Sequence, residues 1–312
     1  MIIGHEASGM LATFIFSFHM PIFFLLSGYT SHVVTSDDDF KKTIRNLFKK
    51  VWMLGAVMCV FYAVENWVAN PAPKFQMWAF IKFVIKMILG GNCAGWNKRY
   101  ANYPGVGVMW FMFAFFWSKS LFSFLTAHFK RIYLMMLCII IPAIGYLISK
   151  FIWLPQSFDI AMVTILFMYV GMSLKGFSGT TQDKFKYPLL FLVLIYWLIC
   201  LVHSVGLNLA MREYPYGFIS IIEAIAGSVV IIFASKIIAR VPLVNNISFF
   251  GRHTLSIMCI HYLDGYEFFW RFWVHNAIVA AIIRLFVDLS VLAIGCLVLK
   301  AYRKWQIKCQ HI

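Results

Sequence analysis

The sequence predicts an all-α polytopic membrane protein, and three observations predict it. Apolar residues (AVILMFWYC) make up 62% of the 312 positions, charged residues only 12%, and the mean hydropathy is +0.80. An ordinary soluble domain is about half apolar, and a compact chain of this length could not hide the excess. The apolar residues also fall into runs of roughly 20, the number that crosses a hydrocarbon layer about 30 Å thick at about 1.5 Å per residue. Finally, the runs do not alternate as barrel strands do. A backbone in lipid must satisfy its own hydrogen bonds, so they are helices. An aromatic content of 18% excludes disorder.

Nine stretches qualify as full spans: 9–34, 51–70, 106–128, 131–150, 158–175, 187–207, 216–238, 244–264 and 277–300. Turn and charge signals part them, among them Ser36-Asp37-Asp38-Asp39, Asn70-Pro71-Ala72-Pro73 and Arg212-Glu213-Tyr214-Pro215. The basic stretch 37–50 reads as a loop. In the first span Pro21 kinks the helix and frees a backbone carbonyl near residue 17. Residues 75–89 differ: Lys82 and Lys86 lie four apart on an otherwise apolar helix beside Phe75 and Trp78, the pattern of a helix lying in the interface. The following GGNCAGWNKRYANYPGVG is a long loop, of the length at which loops tend to be functional. Residues 1–5 run straight into the first span with neither a basic leader nor a small-residue cleavage site, so they are not a signal peptide. They read as the end of a tenth helix whose body is missing. No repeat or soluble appendage interrupts the series, so residues 1–312 form one domain, N-terminally incomplete.

Lys and Arg number 27 against 12 Asp and Glu, a net charge of +15. On a soluble chain this would suggest nucleic acid; here the positions of the charges decide. If 37–50 is cytoplasmic, that side holds Lys41, Lys42, Arg45, Lys49, Lys50, Lys130, Arg131, Lys175, Lys184, Lys186, Lys236, Arg240, Lys300, Arg303, Lys304 and Lys308. The short loops opposite hold only Lys150, Arg212 and Arg271. That asymmetry is the positive-inside pattern; it places the C-terminus in the cytoplasm and leaves no case for nucleic acid. The seven cysteines show no paired or zinc spacing, so neither a disulfide framework nor a metal site is expected.

Chemistry must come from polar groups at membrane depth, which are costly and therefore functional candidates. No phosphate loop, dinucleotide fingerprint, nucleophile elbow or zinc-protease motif occurs. The candidates are His5, Glu6, His19, Glu65, Lys119, Glu223, Arg252, His253, His261, Asp264, Arg284 and Asp288. Arg284 and Asp288, four apart, are expected to neutralise each other, and Lys119 to snorkel. Glu65 and Asp264 lie near span ends, within reach of solvent. Glu223 stands alone in its helix, either a protonated or Ser-paired structural carboxyl or a functional one. Histidine is the side chain best suited to take a proton near neutral pH. His5 and His19 would lie about 21 Å apart on a continuous helix and approach only if the chain turns between them.

The arrangement of His5 in IIGH, then FSFHMPIFFLLSGY (16–29), a basic run at 41–50, VMWFMFAFFW (108–117) and SFFGRHTLSIMCIHYL (248–263) resembles the acyltransferase 3 family. Its nearest branch is the fucose 4-O-acetylase-like membrane sugar O-acetyltransferases. The resemblance implies about ten transmembrane helices and transfer of an acyl group, usually acetyl from acetyl-CoA, to a hydroxyl of a surface or lipid-linked carbohydrate. It also implies residence in a bacterial cytoplasmic membrane. His5 matches the family's catalytic histidine. His19 and Pro21 match its HMP signature, Trp110 and Phe111 its WFL motif, and Gly251, Ser256 and His261 its late motif. The family's cation eleven residues before the catalytic histidine falls ahead of Met1. His5 is accordingly expected to be general base or acyl carrier, with His19 and His261 as further catalytic candidates. Arg252, or the family's cation ahead of His5, is the candidate to meet the developing oxyanion. Glu6, Ser27 and Trp110 are the substrate-binding candidates, and Lys41, Lys42, Arg45, Lys49 and Lys50 the site for CoA phosphates. A transporter or flippase of a glycan precursor and an inactive truncated acyltransferase remain as alternatives.

Overall fold

The computed structural model describes residues 9–31, 33–68, 77–89, 109–177, 183–241, 251, 253–254, 256–258, 260–261, 274 and 276–310. The helices are α1 (Met10–Phe18), α2 (Pro21–Thr30), α3 (Asp37–Val68), α4 (Met77–Leu89), α5 (Met109–His128) and α6 (Arg131–Phe151). A short 3-10 turn (Pro155–Ser157) then leads into α7 (Phe158–Phe177), followed by α8 (Asp183–Val202), α9 (Phe218–Ile238) and α10 (Ala277–Gln310). Among the described residues there is no strand beyond one isolated bridge, Asn208 to Glu213. Among the described residues, five stretches are long and apolar enough to cross a membrane: Met10–Thr30, Arg131–Phe151, Pro155–Gly176, Phe218–Ile238 and Ile278–Val298. The chain is a multi-pass, all-α membrane protein. The expected span at 244–264 and the loop at 90–107 fall largely or wholly outside the described residues.

Two expectations need correcting. The stretch 37–50 is not a loop; it is the first part of the 32-residue helix α3. The cause is local. The Ser36 hydroxyl accepts a hydrogen bond from the Asp39 amide at 3.3 Å, while Asp37, Asp38 and Asp39 fill the first turn, where the helix dipole favours negative charge. The first span is not merely kinked. It breaks at His19-Met20 into α1 and α2, because Pro21 has no amide hydrogen to give and starts a new helix. The described part of the amphipathic stretch, Met77–Leu89, does form a helix, α4, with Trp78, Lys82, Ile85 and Ile88 exposed.

The chain divides into two compact units, Ser17–Val230 and Met1–Phe16 with Ile231–Ile312. In the larger unit α7 is the centre, packed by α2, α5 and α6, with α4 and α5 beside α3. Its Ile160, Ala161, Val163, Ile165, Phe167 and Met168 are completely buried. The contact of α2 with α7 is glycine-dependent from both sides. A Cβ on Gly28 would overlap the Met168 carbonyl, and one on Gly171 would overlap that of Leu25. Close backbone approach through small residues is how helices associate where lipid is as apolar as leucine. Helix α6 shows the same logic on its surface: Leu134, Cys138, Pro142, Gly145 and Ser149 face in, while Ile132, Met136, Ile139, Ile140 and Leu147 face out. The buried face combines small residues with Leu134 and Tyr146, and the exposed face is rich in large apolar side chains. In the smaller unit α10 is the principal described helix, with Ala280, Ala281 and Leu292 buried.

Candidate functional site

In the larger unit the two best-marked motif pieces meet. Phe23 and Phe24 of α2 pack edge to face on Phe111 of α5, with centroids 5.6 and 5.4 Å apart. Trp110, its chain neighbour, is buried and set edge to face on the same ring at 6.0 Å. His19 lies in the turn between α1 and α2, half-buried, with Nδ1 wholly enclosed. The break therefore holds an ionisable ring inside the bundle. Ser27 is half-buried on α2, where its carbonyl accepts from the Ser31 amide at 3.1 Å.

The basic residues expected to bind CoA are all exposed on the first turns of α3. Lys41, Arg45 and Lys49 recur every four residues and so share one face, with Lys42 and Lys50 beside it. At the end of the unit where α2 stops, Lys119 of α5 donates to the Ser31 hydroxyl and Lys175 of α7 donates to the Ser31 carbonyl at 3.2 Å. Lys119 thus has a specific partner where simple snorkelling was expected.

The smaller unit contains a buried polar group that spacing alone misassigned. Asp288 on α10 does not neutralise Arg284. Its Oδ2 lies 3.2 Å from Nδ1 of His261, and both side chains are nearly solvent-free, at 0% and 4% exposure. Arg284 instead donates from Nη2 to the His261 carbonyl at 3.1 Å. A carboxylate accepting from Nδ1–H sets the imidazole tautomer with its lone pair on Nε2, the arrangement of an oriented base. His5, Glu6 and Arg252 lie outside the described residues, as does Asp264. Among the described residues no group of three or more His, Cys, Asp or Glu is placed to hold a metal.

Other polar features were not legible as pairs. Asp159, at the start of α7, and Arg212, in the connection before α9, form a buried two-bond ion pair: Nε to Oδ2 at 2.8 Å and Nη2 to Oδ1 at 3.0 Å. The guanidinium also stacks on Trp153 at 4.3 Å and donates to the Ala210 carbonyl. Arg212 adopts φ +52°, a conformation that costs a non-glycine residue energy and persists only when its surroundings hold it. Burial pushes the neighbouring Tyr214 hydroxyl above the usual phenol range; the Asp159 charge adds to this and Arg212 opposes it. Between α5 and α7, Ser118 and Thr164 share a buried hydrogen bond at 2.6 Å. Glu223 of α9 is fully buried, and among the described residues neither carboxyl oxygen has a hydrogen-bond partner, so it is not Ser-paired there.

In each unit, apolar helices enclose ionisable side chains, and the long apolar helices define an integral-membrane protein. The family model described as an acyltransferase domain matches residues 2–302, and the chain belongs to that family, acyltransferase 3. It is a membrane acyltransferase. No curated protein and no solved structure matches the chain.

Proposed function

We propose that the protein is an O-acyltransferase that moves an acyl group, acetyl in the usual case, from acyl-CoA to a hydroxyl of a cell-surface or lipid-linked carbohydrate. The observation that carries this reading is the acyltransferase match over nearly the whole chain, from residue 2 to residue 302. The reaction needs three things. A carbohydrate hydroxyl is a weak nucleophile and needs a base; His5 is the assigned one, acting as general base or acyl carrier, with His19 and His261 as further catalytic histidines. With His5 as base, the hydroxyl oxygen bonds to the thioester carbon and its proton passes to imidazole. The C–S bond then breaks, and the proton goes on to the departing thiolate of CoA. The carbonyl oxygen gains negative charge in between and needs a cation, for which Arg252 is assigned.

The finer topology belongs to the same proposal. Nine full spans form one domain over 1–312 in a bacterial cytoplasmic membrane. The C-terminus and the basic face of α3 lie on the cytoplasmic side, where acyl-CoA is found. Lys41, Lys42, Arg45, Lys49 and Lys50 attract the donor's phosphates, and Glu6, Ser27 and Trp110 contact the acceptor. Mass spectrometry of surface glycan from cells with and without the gene tests the reading and names the acceptor. Acetyl groups present only with the gene, and lost in His5→Ala with the protein still in the membrane, are the expected result. A glycan that changes sides without covalent change would overturn it in favour of transport.

A further inference from the structure

Ser31 closes α2, and two cations converge on it: Lys119 through its hydroxyl and Lys175 through its carbonyl. The helix C-terminus they meet carries about half a negative charge. Two full positive charges therefore face about half a negative one. Among the described residues no carboxylate lies within ion-pair distance of either lysine; Asp37, at the start of α3, is engaged by His128 at 3.1 Å. Lys119 is half-buried and stands nine residues before the end of α5, about 13 Å along the helix. An ammonium recessed in this way has lost much of its water without gaining an anion, an arrangement that costs free energy unless something else supplies the charge. Lys175 is exposed, so the pair has an open side. The Ser31 hydroxyl accepts from Lys119, which leaves its own O–H to donate elsewhere.

We propose that Lys119, Lys175 and the Ser31 hydroxyl form a phosphate-binding site. Two ammonium groups and one hydroxyl suit a phosphate or diphosphate, whose several oxygens each accept a charge-assisted hydrogen bond. Resting on the function proposed above, the group bound is a phosphate of the CoA donor. The exposed cations of α3 then gather the donor, and the Ser31 site fixes one of its phosphates.

Isothermal titration of the full chain in neutral-detergent micelles tests this, with CoA and inorganic pyrophosphate as the two probes. The wild type is expected to bind both. Lys119→Met should weaken each at least tenfold and Lys119→Arg should keep most of the affinity; Lys175→Met should weaken both by a smaller factor. If Lys119→Met does not fold, Lys175→Met and Ser31→Ala carry the test. Unchanged affinity for both probes in these variants overturns the site. Binding of CoA that ignores the lysines overturns the site and leaves the acyl-CoA reading standing. Lysine-dependent binding of pyrophosphate without any binding of CoA supports the phosphate site and overturns its assignment to the donor. Lysine-dependent displacement of pyrophosphate by phosphatidylglycerol, in nanodiscs compared with phosphatidylcholine ones, supports the site and assigns it to a lipid headgroup.

Discussion

Replacing Arg212 with Met should be among the most damaging single changes away from the histidines. The guanidinium makes bonds of 2.8 and 3.0 Å to Asp159 and covers Trp153 at 4.3 Å, and the two charged side chains are 1% and 0% exposed. Met fills a similar volume, so the main loss is the charge. Asp159 is left buried and uncompensated, at a cost of about 3–5 kcal/mol when one partner of a buried pair is removed. The lost stacking on Trp153 adds about 0.5–2 kcal/mol. A net loss of about 5 kcal/mol is a factor of roughly several thousand in the folded-to-unfolded ratio, at about 1.4 kcal/mol per tenfold. The assay is reversible unfolding of the purified protein in mixed micelles titrated with SDS, followed by tryptophan fluorescence. The control is the double change Asp159→Leu with Arg212→Met, in which no charge remains unpaired; it should recover most of the loss. An Arg212→Met penalty under about 1 kcal/mol, or a double variant costing as much as the two single ones summed, would refute the claim that this pair clamps the connection before α9 to α7.

Three further outcomes follow from the same contacts. Asp288→Asn keeps the shape but not the charge that sets the His261 tautomer; kcat for acyl transfer should fall by about 10^2 or more, with KM nearly unchanged, in a radiolabelled acetyl-transfer assay. An unchanged kcat would make Asp288 structural only. Gly28→Ala should lower stability by about 1–3 kcal/mol in the SDS titration, because its Cβ meets the Met168 backbone and no side chain can yield. Ser118→Ala should cost about 1 kcal/mol alone, and little more when combined with Thr164→Val, since the two hydroxyls share one bond. Equal and additive losses would argue against the shared bond.

Hydropathy made the helices legible because a span must be both long and apolar, and nothing else in a sequence looks like that. Length and apolarity say less about where a helix begins in water. The first part of α3 read as a loop because its charges drew more attention than the Ser36 cap and the three aspartates that start it. His19 was legible through Pro21, since a proline inside a span forces a break and a polar residue beside a break has a reason to be there. The Asp159–Arg212 pair was not legible. The residues are 53 positions apart, and each sits near a span end where solvation is the simpler account. The sequence pairs Asp288 with Arg284 because spacing of four predicts contact on a helix. Spacing cannot weigh a competitor 27 positions away, and His261 is that competitor. Likewise Lys119 and Lys175 come from different helices, and only the fold brings them to one serine.

The length of α3 has a mechanical consequence. At about 1.5 Å per residue its 32 residues extend about 48 Å, against a hydrocarbon layer of about 30 Å. In the orientation proposed above, the surplus is the end that carries Lys41, Lys42, Arg45, Lys49 and Lys50, a charged mast rooted in the same unit as α5 and α7. Each such cation near an anionic lipid surface contributes about 1 kcal/mol, so in that orientation the five tie the unit to the charge of the leaflet.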